Sequence, residues 1–130
     1  SMAALGARVI GFEIDERMVC RAEMNANFNK FSNCSFLSVD LDDPYDLESI
    51  NVYGANKMLL DPPRSGASLV FKSLKLNTIE RLVYVSCNPI TFARDAGILT
   101  RTQAFNLKEV GILDMFPQTS HFECIGLFTR

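Results

Sequence analysis

The chain has 130 residues, the length of about one domain, of which 48% are hydrophobic and 22% charged. This composition supports a packed core and excludes a disordered tail. Thirteen Lys and Arg against fifteen Asp and Glu give a net charge of -2. The chain therefore lacks the basic excess of a protein that grips nucleic acid mainly through phosphates, so any RNA contact must be local or made by other parts of a longer protein.

Two features bear on location and metal binding. The sequence has no run of roughly 18 to 20 apolar residues, as a membrane span would need, and nothing resembles a signal peptide, so we expect a cytoplasmic location. Four cysteines stand 14, 53 and 37 residues apart, namely Cys20, Cys34, Cys87 and Cys124. That spacing matches no CxxC zinc or iron–sulfur pattern, so we expect reduced thiols and no metal.

Apolar runs alternate with amphipathic segments, which predicts one α/β domain over residues 1–130. Four strands rich in Val, Ile and Leu, typical of a parallel sheet, are predicted at residues 8–14, 34–39, 57–60 and 82–86. Two more, at residues 107–113 and 122–129, follow each other without a helix and predict an antiparallel edge pair. Ser1 and Met2 are typical of an expression tag, and the strand that follows almost at once predicts a piece of something longer.

Three helices are predicted from apolar residues at helical spacing. Their stripes are Met18, Val19, Ala22 and Ala26 in the first, Leu69, Val70, Leu74 and Leu76 in the second, and Phe92, Ala93, Ala96 and Leu99 in the third. Asp15 is placed to cap the first helix, while Asn88 and Pro89 fit the N-cap and first position of the third. We expect each stripe to face the sheet.

Glu13 ends the first predicted strand, at the edge where open α/β sheets bind ligands. A carboxylate there can accept both hydroxyl hydrogens of a nucleoside ribose; the alternative is a capping neighbour of Asp15. The glycine-rich loop that normally precedes such a residue by about 20 positions is absent from this sequence, which does not extend that far back. We therefore expect an incomplete cofactor site.

The sequence DPPRSG, residues 61–66, follows a buried strand. Its prolines hold Asp61 and Pro62 extended and stiff as the chain leaves the sheet. A rigid polar loop in this place suits a planar base or a cofactor. The alternative is a Pro-rich turn whose aspartate only caps the next segment.

Cys87 lies between the predicted strand and the Asn88-Pro89 helix start. Backbone amides and the positive end of a helix dipole favour a thiolate there, which makes Cys87 a candidate nucleophile. The alternative is an inert buried thiol. The other three cysteines have no such setting.

Residues 114–123 contain the only histidine, His121, two residues before Glu123. In a strand that begins near His121 both side chains point to one face, so Glu123 can act as a general base at the ligand edge. The alternative is a structural histidine beside an edge loop. His-x-Glu without a CxxC partner does not indicate zinc.

Three motifs in this order resemble the RNA uracil-5-methyltransferase family: DPPRSG at residues 61–66, VYVSCNP at 83–89 and DMFPQTSHFE at 114–123, with Asn25 and Asn27 on the first helix. The resemblance runs from about Arg8 to Arg130. It implies part of a class I S-adenosylmethionine-dependent methyltransferase (Rossmann-like) fold, mostly parallel, with an antiparallel C-terminal pair and without the first strand. The complete protein would then make 5-methyluridine in tRNA or ribosomal RNA.

The resemblance also implies individual roles. Cys87 would attack C6 of the target uracil, and Glu123 would remove the proton from C5. Glu13 would hold the cofactor ribose, Asp40 would lie beside the adenine, and Asp61 would stand between cofactor and target base.

Arg64 and Asn88 are expected among the substrate-binding residues, and neither a metal nor an iron–sulfur cluster is expected in this part of the protein. A competing hypothesis is a truncated module without activity, whose exposed sheet edges pair with a second copy. A Rossmann-like enzyme that uses another nucleotide would leave the junction at Cys87 unexplained.

Overall fold

A computed structural model describes residues 2–50, 54–115, 117–119 and 121–130. The elements in chain order are a 3-10 helix (Ala3–Leu5), β1 (Val9–Glu13), α1 (Glu16–Phe28), β2 (Cys34–Ser38), α2 (Pro44–Ile50), β3 (Lys57–Leu60), α3 (Ser68–Ser73), β4 (Arg81–Ser86), α4 (Pro89–Thr102), β5 (Asn106–Leu113) and β6 (Glu123–Thr129). They fall into two compact units, Ser1–Asp46 and Leu47–Arg130.

The first unit is built on a parallel pair of strands. β1 and β2 pair from Val9 opposite Cys34 to Glu13 opposite Ser38. The predicted cap of α1 is confirmed, because the Asp15 carboxylate accepts a hydrogen bond from the Arg17 backbone N–H at 2.9 Å. Hydrogen bonds from the Arg17 side chain and backbone lower the pKa of Asp15, so this cap stays charged.

The α1 stripe is covered only in part. Val19, Ala22 and Ala26 are half-buried, whereas Met18 is 53% exposed, so the prediction that Met18 belongs to the core is wrong. No residue of α1 is fully buried, because a two-stranded sheet offers little apolar surface to cover a helix face.

The second unit contains a four-stranded sheet in the order β3-β4-β6-β5. β3 and β4 are parallel, while β6 runs antiparallel to both β4 and β5. The predicted antiparallel pair is confirmed, but of its two strands only β5 is an edge strand, since β6 lies between β4 and β5. Cys124, Gly126 and Phe128 are accordingly buried along β6.

Tyr84 is at the centre of the core of this unit. Its ring meets Phe71 edge-on and stacks on Phe92 at an interplanar angle of 6°, both with centroids 5.4 Å apart. Gly126 leaves the space for this packing, since a Cβ there would come within 2.8 Å of the rings of Phe92 and Phe128. The core therefore joins α3 and α4 to the sheet.

Two helix predictions need correction. α3 ends at Ser73, and Leu74 has an extended backbone, so Leu74 and Leu76 are buried from an extended segment rather than from a helix. In α4, Phe92 and Leu99 are buried, but Ala93 is exposed on the outer side of the helix. α2 is absent from the predicted elements because it is short and buries only Leu47.

Candidate functional site

Three predicted site residues lie at one end of the four-stranded sheet. Asp61 directly follows β3 and Cys87 directly follows β4, so the parallel pairing of these strands places both residues at C-terminal strand ends. Glu123 is the first residue of β6, which runs the opposite way. The structure thus brings these residues to the edge at which open α/β sheets bind ligands.

The register of β4 and β6 places Cys87 across from Glu123. Ser86 of β4 pairs with Cys124 of β6. One residue further toward this end of the sheet, Cys87 follows Ser86 and Glu123 precedes Cys124. Cys87 is half-buried, and Oε2 of Glu123 is buried without a hydrogen-bond partner among the described residues. A buried carboxylate oxygen without a donor is costly, and it is typical of a site in which another molecule supplies the partner.

Cys124 is set apart from Cys87 by its surroundings. Burial raises the pKa of the Cys124 thiol, and the charge of Glu123 adds to the shift. Cys124 therefore stays a neutral thiol, which leaves Cys87 as the candidate nucleophile at this strand end.

The turn from β4 into α4 is fixed by Ser86 and Asn88. Oγ of Ser86 accepts a hydrogen bond from the Asn88 N–H at 3.2 Å and donates to the Asn88 carbonyl at 3.1 Å. Oδ1 of Asn88 accepts from the Ile90 N–H at 3.0 Å, and Pro89 occupies the first turn, which confirms the predicted cap. Cys87 is held within this turn, next to the positive end of the α4 dipole.

Arg64 connects the loop after β3 to the segment before β6. Its Nη2 lies 3.1 Å from Nδ1 of His121, and because arginine only donates, Nδ1 is the acceptor in this contact. The Arg64 carbonyl accepts a hydrogen bond from Nδ2 of Asn88 at 3.3 Å. These two contacts link the loop after β3 both to the segment before β6 and to the turn that holds Cys87.

Glu13 and Asp40 belong to the first unit, at the C-terminal end of its strand pair. Glu13 is exposed, and its Oε1 accepts from the Asp15 N–H at 3.1 Å. Oδ1 of Asp40 accepts from the Asp42 N–H at 2.9 Å, and the Asp40 N–H donates to Asp46 at 2.8 Å. Glu13 therefore interacts with Asp15, as one prediction has it, while its exposed carboxylate keeps the ribose-binding hypothesis open.

A buried cluster of hydrogen bonds around Asp95, next to the loop between β3 and α3, is not among the predicted site residues. Oδ2 of Asp95 accepts hydrogen bonds from the Tyr84 hydroxyl and the Ala67 N–H, both at 2.7 Å. Burial and the hydrogen bond to Asp95 raise the pKa of Tyr84, which keeps the phenol protonated. A usable signal exists in the sequence, since Asp95 falls three residues after Phe92 and four before Leu99, on the apolar stripe of α4.

Metal ligands and membrane spans are both missing from the part of the chain that the structure describes. No three His, Cys, Asp or Glu side chains there gather in a way that could hold a metal ion. No helix in the same residues has the length and apolar character needed to cross a bilayer.

The sequence is similar to proteins of one family over its full length. The family model described as tRNA (uracil-5-)-methyltransferase matches residues 1–130. Over 129 residues, the chain is 46% identical to the 23S rRNA (uracil(1939)-C(5))-methyltransferase RlmD of Legionella pneumophila (strain Paris) and 45% identical to the protein of that name from Xanthomonas oryzae pv. oryzae (strain MAFF 311018). Each match covers 99% of this chain but only 29% of the relative, so the chain spans less than a third of the length of these relatives.

Solved structures show the fold. An rRNA methylase from Streptococcus thermophilus matches with a TM-score of 0.63 and 12% identity, over 99% of this chain and 76% of that chain. The magnesium protoporphyrin IX methyltransferase of Synechocystis PCC 6803, solved with bound S-adenosylmethionine, matches with a TM-score of 0.64 and 17% identity, over 99% and 62%. These likenesses confirm the predicted class I methyltransferase (Rossmann-like) fold.

Proposed function

The chain belongs to the tRNA (uracil-5-)-methyltransferase family, and from this premise we propose that a complete protein containing it methylates C5 of a uridine in RNA, with S-adenosylmethionine as cofactor. Ribosomal RNA is the substrate class we infer, because the two relatives are named for it. The net charge of -2 fits a complete protein whose main RNA-binding surface lies outside this part of the chain. A cytoplasmic location fits the proposed substrate. The observation that carries the proposal is the register that sets Cys87 across from Glu123.

Cys87 acts first in the proposed reaction. Its thiolate adds to C6 of the uracil, and as the S–C6 bond forms, the electrons of the C5=C6 double bond move toward C5 and the neighbouring carbonyl. C5 thereby becomes a carbon nucleophile, which unactivated uracil is not. S-adenosylmethionine, when bound, would supply the electrophilic methyl group that C5 takes up, with S-adenosylhomocysteine as the leaving group. The position of Cys87 before α4 supports this role, because the helix dipole stabilises a thiolate.

Glu123 completes the proposed reaction as the base. Its carboxylate takes the proton from C5, the electrons of the C5–H bond restore the C5=C6 double bond, and the C6–S bond breaks to return the Cys87 thiolate. Support comes from Oε2 of Glu123, which is buried and accepts no hydrogen bond from the described residues. A carboxylate oxygen without a donor is available to take a proton.

The remaining predicted site residues are proposed to bind. The exposed carboxylate of Glu13, at the end of β1, fits the ribose diol of the cofactor, and Asp40, at the end of β2, fits a place beside the adenine. Asp61 would lie between the cofactor and the target base. Arg64 and Asn88 would contact the target nucleotide, and both already lie beside the strand end that carries Cys87.

Trapping with RNA that contains 5-fluorouridine tests the nucleophile. Fluorine at C5 cannot leave as a proton does, so the enzyme should remain bound to the RNA through Cys87 and run as a shifted band on a denaturing gel. We expect Cys87→Ala to form no such band, while the matched control Cys20→Ala, at an exposed position on α1, forms it fully. A full yield from Cys87→Ala would refute the assignment.

Glu123→Gln tests the base with ordinary uridine RNA. An amide cannot take the C5 proton, so the methylated adduct should accumulate and turnover should slow, whereas formation of the adduct continues. Normal turnover by Glu123→Gln would mean that another group removes the proton.

A second candidate applies to the 130-residue chain by itself: an inactive module that pairs with a second copy. The edge strand β5 favours it, because Val110 and Ile112 are 61% and 67% exposed there. Light scattering that shows a monomer over a wide concentration range would exclude the pairing. Calorimetric binding of S-adenosylhomocysteine to the chain would count against an inactive module, and no binding would favour one.

A further inference from the structure

Side chains of α4 and of its N-cap hold the loop between β3 and α3 by hydrogen bonds to the backbone of the loop. The Arg64 carbonyl accepts hydrogen bonds from Nδ2 of Asn88 and Oγ1 of Thr91, both at 3.3 Å. The next carbonyl, of Ser65, accepts from Nη2 of Arg94 at 2.8 Å. Successive turns of one helix thus bind successive peptide groups of the loop, which fixes the path of the backbone.

Asp95 closes this set of contacts from inside the protein. Its carboxylate is fully buried and accepts from the Ala67 N–H and the Tyr84 hydroxyl at 2.7 Å, and from Nε of Arg94 at 2.8 Å. A carboxylate out of water is tolerated only when such donors surround it, so the three donors are held in place as firmly as the carboxylate. Asp95 therefore ties together the loop, β4 and α4.

The loop packs closely against α4 at Gly66. Gly66 has a φ of +79°, and a Cβ at this position would collide with the side chains of Asp95 and Arg94. The Gly66 N–H also donates to the Pro63 carbonyl at 2.9 Å, which closes the turn ahead of the contact. The close approach depends on glycine at this one position.

We propose that Asp95 is a positioning residue, which sets the loop carrying Asp61 and Arg64 in a fixed place relative to Cys87. The inference rests on the proposed function, because the role is a role in that reaction. α4 begins two residues after Cys87, so the element that orients the nucleophile is also the element that holds the loop. Asp95 acts through its hydrogen bonds to the loop and to Tyr84, whereas Cys87, Asp61 and Arg64 meet the reactants.

Asp95→Asn in the complete protein tests the proposal. The amide keeps the size of the side chain but loses the charge and one acceptor, so the loop should loosen. We expect adduct formation with 5-fluorouridine RNA to slow by about 10- to 100-fold, the effect of a misplacement of about 1 Å. Amide hydrogen exchange should speed up at Ala67 and stay unchanged at Gly126 in β6.

Two other substitutions separate positioning from general stability. Leu99→Ala removes a fully buried side chain from the same helix without touching the loop, so it lowers the melting temperature but should leave the rate of adduct formation near that of the wild type. Arg94→Ala removes the bond to Ser65 and one of the three donors to Asp95 from a side chain that is 45% exposed. The Ala67 N–H and the Tyr84 hydroxyl still pair the Asp95 carboxylate, so we expect the variant to fold, less stably, and to slow the reaction in the same direction as Asp95→Asn. If Asp95→Asn does not fold, Arg94→Ala decides.

The outcomes distinguish the inference from the function on which it rests. A wild-type protein that forms no adduct overturns the proposed function and the inference with it. A reactive wild type, with variants at Asp95 and Arg94 that react as fast as Leu99→Ala, overturns the inference alone. Slower reaction together with selective exchange at Ala67 supports it.

Discussion

The two units of the chain hold their acidic side chains in different ways. In the first unit the carboxylates of Glu13, Asp15 and Asp40 each accept a hydrogen bond from a backbone N–H two residues further on. These bonds are local turns and caps at exposed or half-buried positions. Each fixes the direction of one side chain and nothing more distant.

In the second unit, Asp95 accepts hydrogen bonds from residues far away along the chain as well as from its neighbour Arg94. Asp95 is fully buried and binds Ala67, 28 residues away, and Tyr84, 11 residues away. Local bonds are enough for carboxylates that bind a ligand from the surface, whereas bond making and breaking require several elements held in one geometry. The difference fits the proposed division of roles, in which residues of the first unit bind the cofactor and residues of the second carry out the reaction.

The largest expected effect on stability comes from replacing a phenylalanine by alanine in the second unit, and the same replacement in the first unit is the matched control. Phe71 is fully buried in the second unit, and Phe28 is 86% exposed in the first. We expect Phe71→Ala to lower the free energy of unfolding by about 3 to 5 kcal/mol, from lost burial and the cavity left behind. Phe28→Ala should change it by less than about 0.5 kcal/mol.

Urea unfolding followed by far-ultraviolet circular dichroism measures both variants, since the chain has no tryptophan to serve as a fluorescent probe. Equal losses for Phe71→Ala and Phe28→Ala would mean that the first unit is packed as densely in solution as the second, and the comparison would fail.

A pair of glycines tests the tightness of the second unit. Gly6, in the first unit, and Gly66 both have positive φ, at +85° and +79°, but a Cβ meets open space at Gly6 and the side chains of Asp95 and Arg94 at Gly66. Gly6→Ala should therefore cost only the strain of a left-handed backbone, about 1 kcal/mol. Gly66→Ala adds overpacking of about 1 to 3 kcal/mol.

The free energies of unfolding of these two alanine variants can be compared in urea against the wild type. The same cost at both positions would show that the loop can move away from α4, which contradicts the close contact on which the role of Asp95 depends.

Local pattern was sufficient to predict most of the fold. Each of the six strands begins and ends within one residue of its predicted bounds, because short apolar runs are separated by polar turns. The position of β6 between β4 and β5 was not predictable, since the alternation of side chains along a strand does not specify its neighbours. Leu74 and Leu76 fit helical apolar spacing, but spacing alone does not show where a helix ends, so the predicted helix extends beyond the end of α3.

The candidate site divides in the same way. Cys87 and Asn88 could be predicted because a strand, an N-cap and a proline follow one another in the sequence, and these signals are local. The link from Asp95 to Tyr84 and Ala67 depends on a tertiary contact, so only the charge on an apolar stripe hints at it. The roles assigned to the site residues stay predictions until the trapping experiments are done.

The smallest expected effect appears at high pH and depends on Tyr84. Burial and the bond to Asp95 raise the pKa of Tyr84 in the folded chain, whereas the unfolded chain ionises at the ordinary value of about 10. Above pH 10 the unfolded state loses this proton while the folded state keeps it, so the stability from this group, fully present below pH 10, is lost as pH rises. Between pH 10 and 11, the free energy of unfolding of the wild type should fall by about 1 kcal/mol because of this group, and that of Tyr84→Phe should not. The control Tyr45→Phe, at a position 84% exposed in the first unit, should show the same pH dependence of stability as the wild type. If stability falls with pH as steeply in Tyr84→Phe as in the wild type, the buried bond to Asp95 does not hold the proton.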